Sequence, residues 1–188
     1  MAKTQVSNKE LVVIMGGFKQ ELAARGNMLR SMLPANVPLE KFQTAVITAV
    51  GSNPELLTEC SRPSLFKACV EAAELGLSLN PSLKECDILP VWNGRTKRKE
   101  AQFRPRYMGL MKLARNSGDI LSIEAHVVHE NDVFVYEYGL DKKLNHVPSH
   151  EANPGPLVAA YCMWKLKNGE TQFEVMSGSQ IEKIRSRS

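Results

Sequence analysis

The stretch Asp87-Ile-Leu-Pro-Val-Trp-Asn-Gly-Arg-Thr-Lys-Arg-Lys-Glu-Ala-Gln-Phe-Arg-Pro-Arg-Tyr-Met-Gly-Leu-Met-Lys-Leu-Ala-Arg-Asn-Ser-Gly118 is where the chain changes period. Ile88 to Trp92, then Asn93-Gly94, then Glu100 to Arg104 read as two strands around a turn longer than two residues. Arg95, Lys97, Arg98 and Lys99 stand at its flexible basic tip. Tyr107 to Asn116 then has helical spacing and is closed by Ser117-Gly118. On this helix Tyr107, Leu110, Met111 and Ala114 share one face, expected to pack on the sheet. Met108, Lys112 and Arg115 share another, with both cations expected to point outward.

Upstream the period is helical. Ser7 and Glu10 make a capping box opening a helix to about Arg30, weakened in its middle by Gly16-Gly17. Pro34 and Pro38 bound a loop. Phe42, Ala45, Val46, Ala49 and Val50 then recur at helical spacing until Gly51-Ser-Asn-Pro54. Pro63 begins a third helix with the apolar face Leu65, Ala68, Cys69, Ala72 and Leu75, and Gly76 suits its C-terminal turn. Downstream, strands are expected at 120–129, 133–138, 157–166 and 171–176. The last two are joined by the hairpin signal Asn168-Gly169. Ser177 or Ser179 caps a final helix that reaches Arg187-Ser188 in mid-period, which suggests a further C-terminal region. The sum is an α+β fold: N-terminal helices, then an antiparallel-rich sheet with an inserted basic helix, then a C-terminal helix. Residues 1–52 form the helical region expected to contact other copies, and 53–188 the functional core.

The 188 residues, 43% hydrophobic and 23% charged, fit a globular domain and exclude bulk disorder. No apolar run approaches the ~20 residues of a membrane span. Cys60, Cys69, Cys86 and Cys162 show no CxxC spacing and read as free thiols of a reducing cytosol. The formal charge of +4 is unevenly spread. Residues 1–90 are neutral overall, 116–188 carry −3, and 91–115 carry +7, with Glu100 the one acid against eight cations. Such a field attracts polyanions; the bland alternative is a solvated basic loop. Phosphates need fixed cations, and unstacked bases need flat surfaces to lie on. Arg104, Arg106, Lys112 and Arg115 are the phosphate candidates, with Lys97, Arg98 and Lys99 behind them. Gln102 and Tyr107 are expected beside the bases or positioning the strand. Phe103 and Trp92 are expected in the core, and Gly109 serves packing or close approach rather than ligand contact.

Gln102-Phe-x-x-x-Tyr107-x-Gly109-x-x-x-Leu113-Ala114-Arg115-x-Ser117-Gly118 resembles the central signature of RecT-type phage single-strand annealing proteins. The likeness continues in order upstream through Asn53-Pro-Glu-Leu-Leu-x-x-Cys60, Ser64-Leu65, Ala72-Ala-Glu-Leu-Gly-Leu77, Asn80-Pro81 and Pro90. Downstream it takes in Val128-His-Glu-Asn-Asp132-x-Phe134, Tyr138-Gly139, His146-Val-Pro148, Ala160-Tyr161, Leu166-Lys-Asn-Gly169 and Phe173-Glu-Val-Met-Ser177. It covers about Asn53 to Ser188. Arg106 stands where a small residue is common, and Met108 where a cation is common, so Met108 inherits no phosphate role.

The resemblance implies ATP-independent binding and pairing of complementary single-stranded DNA in phage-type recombination. It implies rings or helical filaments of the protein and work beside a 5′→3′ exonuclease in the cytoplasm of a bacterial host, at its nucleoid, with no membrane. No catalytic residue, cofactor or metal ligand is required, although Mg²⁺ is compatible. The rival class is a metal-dependent nuclease built on Glu124, Glu130, Asp132, Glu137 and Asp141, yet these lie along alternating strand and turn. His126 with His129 on a strand, and His146 with His150 in a Pro-bounded loop, are poorly spaced for zinc. There is no GxxxxGK[ST] phosphate loop and no Gly-x-Ser-x-Gly elbow.

Overall fold

Ser7 accepts the Glu10 amide and Glu10 reaches back to Ser7, closing the expected capping box on α1 (Asn8–Ala24). The computed structural model describes residues 7–186; the expected helix end at Arg187-Ser188 lies outside them. Helix α1 runs straight through Gly16-Gly17. Each glycine costs roughly 1 kcal/mol, but Phe18 and Leu22 on the same helix are wholly enclosed, and their burial outweighs that cost. The break comes instead at Arg25, whose guanidinium lies 3.7 Å from the Phe66 ring centroid. It separates α1 from α2 (Gly26–Met32).

Pro38 precedes α3 (Leu39–Ser52), which buries Phe42, Val46 and Val50 as its spacing requires. A short helix not anticipated from sequence, α4 (Glu55–Thr58), follows Pro54 and buries Leu56 and Leu57. Ser61 caps α5 (Arg62–Glu74), with Pro63 in its first turn. Leu75 is exposed, contrary to its expected place on the apolar face. The helix ends one residue earlier and Gly76 turns the chain at φ +61°, so Leu77 enters the core in its stead.

Next come β1 (Cys86–Asn93) and β2 (Arg98–Pro105), an antiparallel hairpin pairing Cys86 with Pro105 and Asn93 with Arg98. Its turn is Gly94 to Lys97. Then α6 (Tyr107–Asn116) spans the residues expected of it and closes at Gly118 (φ +76°). Residues 7–52 share one hydrophobic core with α5 and the inner face of this hairpin, where Ile88 and Ala101 are buried.

The chain divides into two compact units between Leu113 and Ala114. In the second, β3 (Ile120–His129), β6 (Leu157–Leu166) and β7 (Thr171–Ser177) form an antiparallel sheet ordered β3-β6-β7. Gly169 makes the β6–β7 turn at φ +91°. A separate hairpin joins β4 (Val133–Glu137) to β5 (Lys143–Val147), so His146 lies on a strand rather than in a loop. Ser177 and Gln180 make a second capping box at the head of α7 (Gly178–Arg185). The mixture of helices, antiparallel sheets and an inserted helix is the expected α+β fold. Cys60, Cys69, Cys86 and Cys162 are free thiols, and burial pushes Cys69 and Cys86 up to about 12. No helix among the described residues is long and apolar enough to cross a membrane.

Candidate nucleic-acid interface

Along β2 the side chains alternate. Ala101 and Phe103 turn to the core, while Gln102 and Arg104 are exposed. The carboxylate of Asp87, the Cα partner of Arg104, lies 3.4 Å from the Arg106 Nε, and both of those side chains remain partly in solvent. Arg106 is engaged by this carboxylate, and Arg104 is not. Arg104, Arg115 and Lys97 make no side-chain hydrogen bond or ion pair among the described residues. Lys97 holds the turn at φ +51°.

Lys99 belongs to a different class. It lies on β2 and not at a flexible tip, and its Nζ stands 2.7 Å from Glu59 and 2.9 Å from Glu55. Hydrogen bonds to Glu59 and Glu55 hold the ammonium well above the usual lysine range. It ties the hairpin to α4. Arg98 is also strand-borne, with its Nε a loose 3.8 Å from Glu100.

Helix α6 is oriented otherwise than its apolar periodicity predicts. Tyr107 and Leu110, expected to pack inward, are 64% and 54% exposed. The side turned to the first unit's core carries Gly109, which is buried, and Leu113. A Cβ on Gly109 would collide with the backbone oxygen of Glu85 and reach 3.1 Å from Leu77 Cδ1, so close approach is its role. Lys112 shares this inward side: its Nζ donates to Glu85 Oε2 at 2.8 Å and to the Gly76 carbonyl at 2.9 Å. The same Glu85 carboxylate accepts the Ser78 amide, and the Glu85 carbonyl accepts the Arg106 amide. Lys112 therefore satisfies a carbonyl left open at the end of α5, and it does not stand free beside Arg115.

The acids and histidines of the second unit are spent separately. Asp132 accepts the His129 amide at 2.7 Å, the Ser149 amide at 2.8 Å and His146 Nε2 at 3.0 Å. These bonds, led by the His129 amide, hold its carboxyl down at about 2. The other ring nitrogen of His146 meets the Tyr161 hydroxyl at 3.2 Å. Glu124 stands by His126, and Glu137 by Lys143. Among the described residues no three of His, Cys, Asp and Glu gather as a group that could hold a metal ion.

Trp92, expected in the core, is 63% exposed. Its place at the hairpin end, beside Asn93-Gly94, carries it beyond the reach of the core, and that adjacency is the sequence signal for its exposure.

A family model described as the RecT family matches residues 40–188. Protein RecT of Escherichia coli (strain K12) is 36% identical over 189 residues, an alignment covering 98% of this chain and 67% of that protein. The match begins before Asn53 and takes in the basic hairpin, α6 and all of the second unit. On these two findings together, the chain belongs to the RecT family.

Proposed function

We propose that this protein binds single-stranded DNA and anneals it to a complementary strand without nucleotide hydrolysis, as part of homologous recombination. The observation that carries this reading is the net +7 window of residues 91–115, borne on a hairpin and helix with Arg104 and Arg115 exposed and unpaired. Family membership supports it. Phosphates carry no sequence information, so a grip on the backbone is tolerant of sequence and leaves base edges open to a complement. Arg104 and Arg115 contact phosphates directly. Arg106 exchanges Asp87 for a phosphate, since a half-exposed pair at 3.4 Å is worth little to the fold. Lys112 acts by positioning α6, and Lys99 by fixing the hairpin.

One window spans only a few nucleotides, so firm binding to a long strand requires copies side by side. Exposed Val12 and Val13 on α1 make the N-terminal helices the candidate contact surface. No cofactor is needed for pairing; Mg²⁺ acts only as a counterion. A 5′→3′ exonuclease that exposes single strands is the fitting partner, in the cytoplasm of a bacterial host. The test is a pair of complementary oligonucleotides, one fluorescent, mixed with protein in the absence of ATP. Faster duplex formation at unchanged strand length is expected. Acceleration only with hydrolysable ATP overturns the mechanism, and shortening of the strand with Mg²⁺ favours the nuclease.

A further inference from the structure

The apolar stripe of α6 is turned away from the core that the helix leans on. Gly109 and Leu113 face that core, and Lys112 is bonded on the same side to Glu85 and Gly76. With 3.6 residues per turn, Tyr107 stands about 160° round the helix from Gly109, and Leu110 about 100°. Both are more than half exposed, and they are neighbours one turn apart. Single exposed apolar side chains are ordinary, whereas these two make a ridge along the outer side of the helix. The Tyr107 hydroxyl has no hydrogen-bond partner among the described residues. The ridge is flanked by cations. The Arg106 carbonyl accepts the Leu110 amide at 2.9 Å, which sets Arg106 one turn before Leu110. Its guanidinium, 3.4 Å from Asp87, remains half in solvent. Arg104 stands exposed and unpaired three residues before Tyr107.

An occupant of this ridge has to be apolar at its centre and anionic at its margin. Tyr107 and Leu110 together offer roughly 300 Å², well short of the roughly 800 Å² that each partner buries in a stable protein interface. A base joined to its phosphate meets both conditions on that small scale. We infer that the Tyr107–Leu110 ridge is a base platform: phosphates held by Arg104 and Arg106 bring consecutive bases of the single strand onto α6. One base lies flat on the Tyr107 ring. Leu110 is branched and cannot stack, so it enters between that base and the next as an apolar wedge. Neighbouring bases are thereby kept from stacking on each other, and each is offered singly to a complement. This rests on the single-strand reading above and adds to it a site for the base, where that reading places only phosphates.

The test uses the full chain and two dye-labelled oligonucleotides of equal length, one ordinary and one abasic, with dye anisotropy as the measure of binding. The parent should bind the ordinary strand more tightly, because only that strand has bases to place on the ridge. Tyr107→Ala should weaken the ordinary strand about tenfold and leave the abasic strand unchanged. The salt slope should stay the same, since no phosphate contact is lost. Tyr107→Phe should retain most of the affinity. Leu110→Ala should cost less than Tyr107→Ala, again for the ordinary strand alone. Both positions are exposed, so these variants should melt like the parent. Arg104→Ala, by contrast, should weaken both strands alike and lower the salt slope. Equal affinity of the parent for the two strands, or a Tyr107→Ala that weakens both or neither, overturns the platform and leaves phosphate binding standing. Failure of the parent to bind either strand brings down the single-strand reading and the platform together. A protein assembly, seen by light scattering without DNA, that dissolves in Tyr107→Ala assigns the ridge to a second copy of the chain and overturns the base.

Discussion

In the first unit Phe18, Leu29, Val46 and Leu65 are wholly enclosed in one continuous apolar core shared by five helices and a hairpin. In the second, the buried cluster reduces to Val128, Ala159 and Tyr161, with Phe134, Leu144, Met163 and Val175 against it. What the second unit lacks in buried aliphatic surface it replaces with directional contacts. Phe134 stacks on Tyr161 at 5.5 Å, Tyr138 on Phe173 at 5.3 Å, and Asp132, His146 and Tyr161 form one hydrogen-bonded chain. An apolar core is indifferent to pH and sensitive to lost volume; a core built round the hydrogen-bonded Asp132 carboxylate is sensitive to protons. Two parts of one chain should therefore fail under different insults.

The largest effect is expected from Phe18→Ala, which removes a fully buried ring touching Phe66. A loss of about 3–5 kcal/mol is expected in the first unit. Amide hydrogen exchange should show it across α1, α3 and α5 while β3 and β6 keep their protection. Equal loss in both units would break the contrast.

Next is Gly109→Ala, expected to cost about 1–3 kcal/mol as α6 is forced off the Glu85 carbonyl. On an exposed helix face the same change would stabilise slightly, so denaturant melting reads the sign directly.

The third sharpens the division within the cations. Lys112→Ala should lower stability by about 1 kcal/mol, after discounting for its partial exposure, and should leave the salt dependence of single-strand binding unchanged. Arg115→Ala should do the reverse: stability within about 0.5 kcal/mol of the parent, and a salt slope reduced by about 0.7. Equal slopes in the two variants would return Lys112 to the phosphates.

The last concerns acid. Asp132 has its carboxyl held at about 2 against an ordinary 3.8, so its contribution is present above the ordinary value and lost as pH falls towards about 2. Exchange protection in β4, β5 and β6 should decline over that interval before protection in α5 does. Asp132→Asn should flatten the pH dependence, and a parent whose two units lose protection together would count against the polar account.

How much of this was legible depends on how far each cause lies from its effect along the chain. The Ser7–Glu10 capping box, the Pro38 start, the Asn168-Gly169 turn and the bounds of α6 rest on near neighbours in the chain, and they read correctly, whereas the last helix offers two candidate caps of which Ser177 is the one used. The facing of α6 did not read correctly. Glycine carries no weight in an apolar pattern, so the pattern chose Tyr107 and Leu110, while the missing Cβ of Gly109 is what lets the helix lie against Glu85. Lys112 looked solvent-facing because its partners, Glu85 and Gly76, stand 27 and 36 residues away. Lys99 is bound in the same way to Glu55, 44 residues before it. The second unit's His146 was legible as a residue type but not as a core member, because Asp132 and Tyr161 meet it only once β4 and β5 are paired and their hairpin packs against β6.

Lys97 illustrates one further economy. It occupies the left-handed region at φ +51°, where a side chain costs about 1 kcal/mol that glycine avoids. Its side chain is exposed and makes no hydrogen bond or ion pair among the described residues, so no such contact recovers that cost. Lys97→Gly should make the hairpin easier to form while weakening its hold on a polyanion, moving the two quantities in opposite directions. A lysine at this turn exchanges some ease of folding for position: its charge is carried on the turn itself, outside the paired strands.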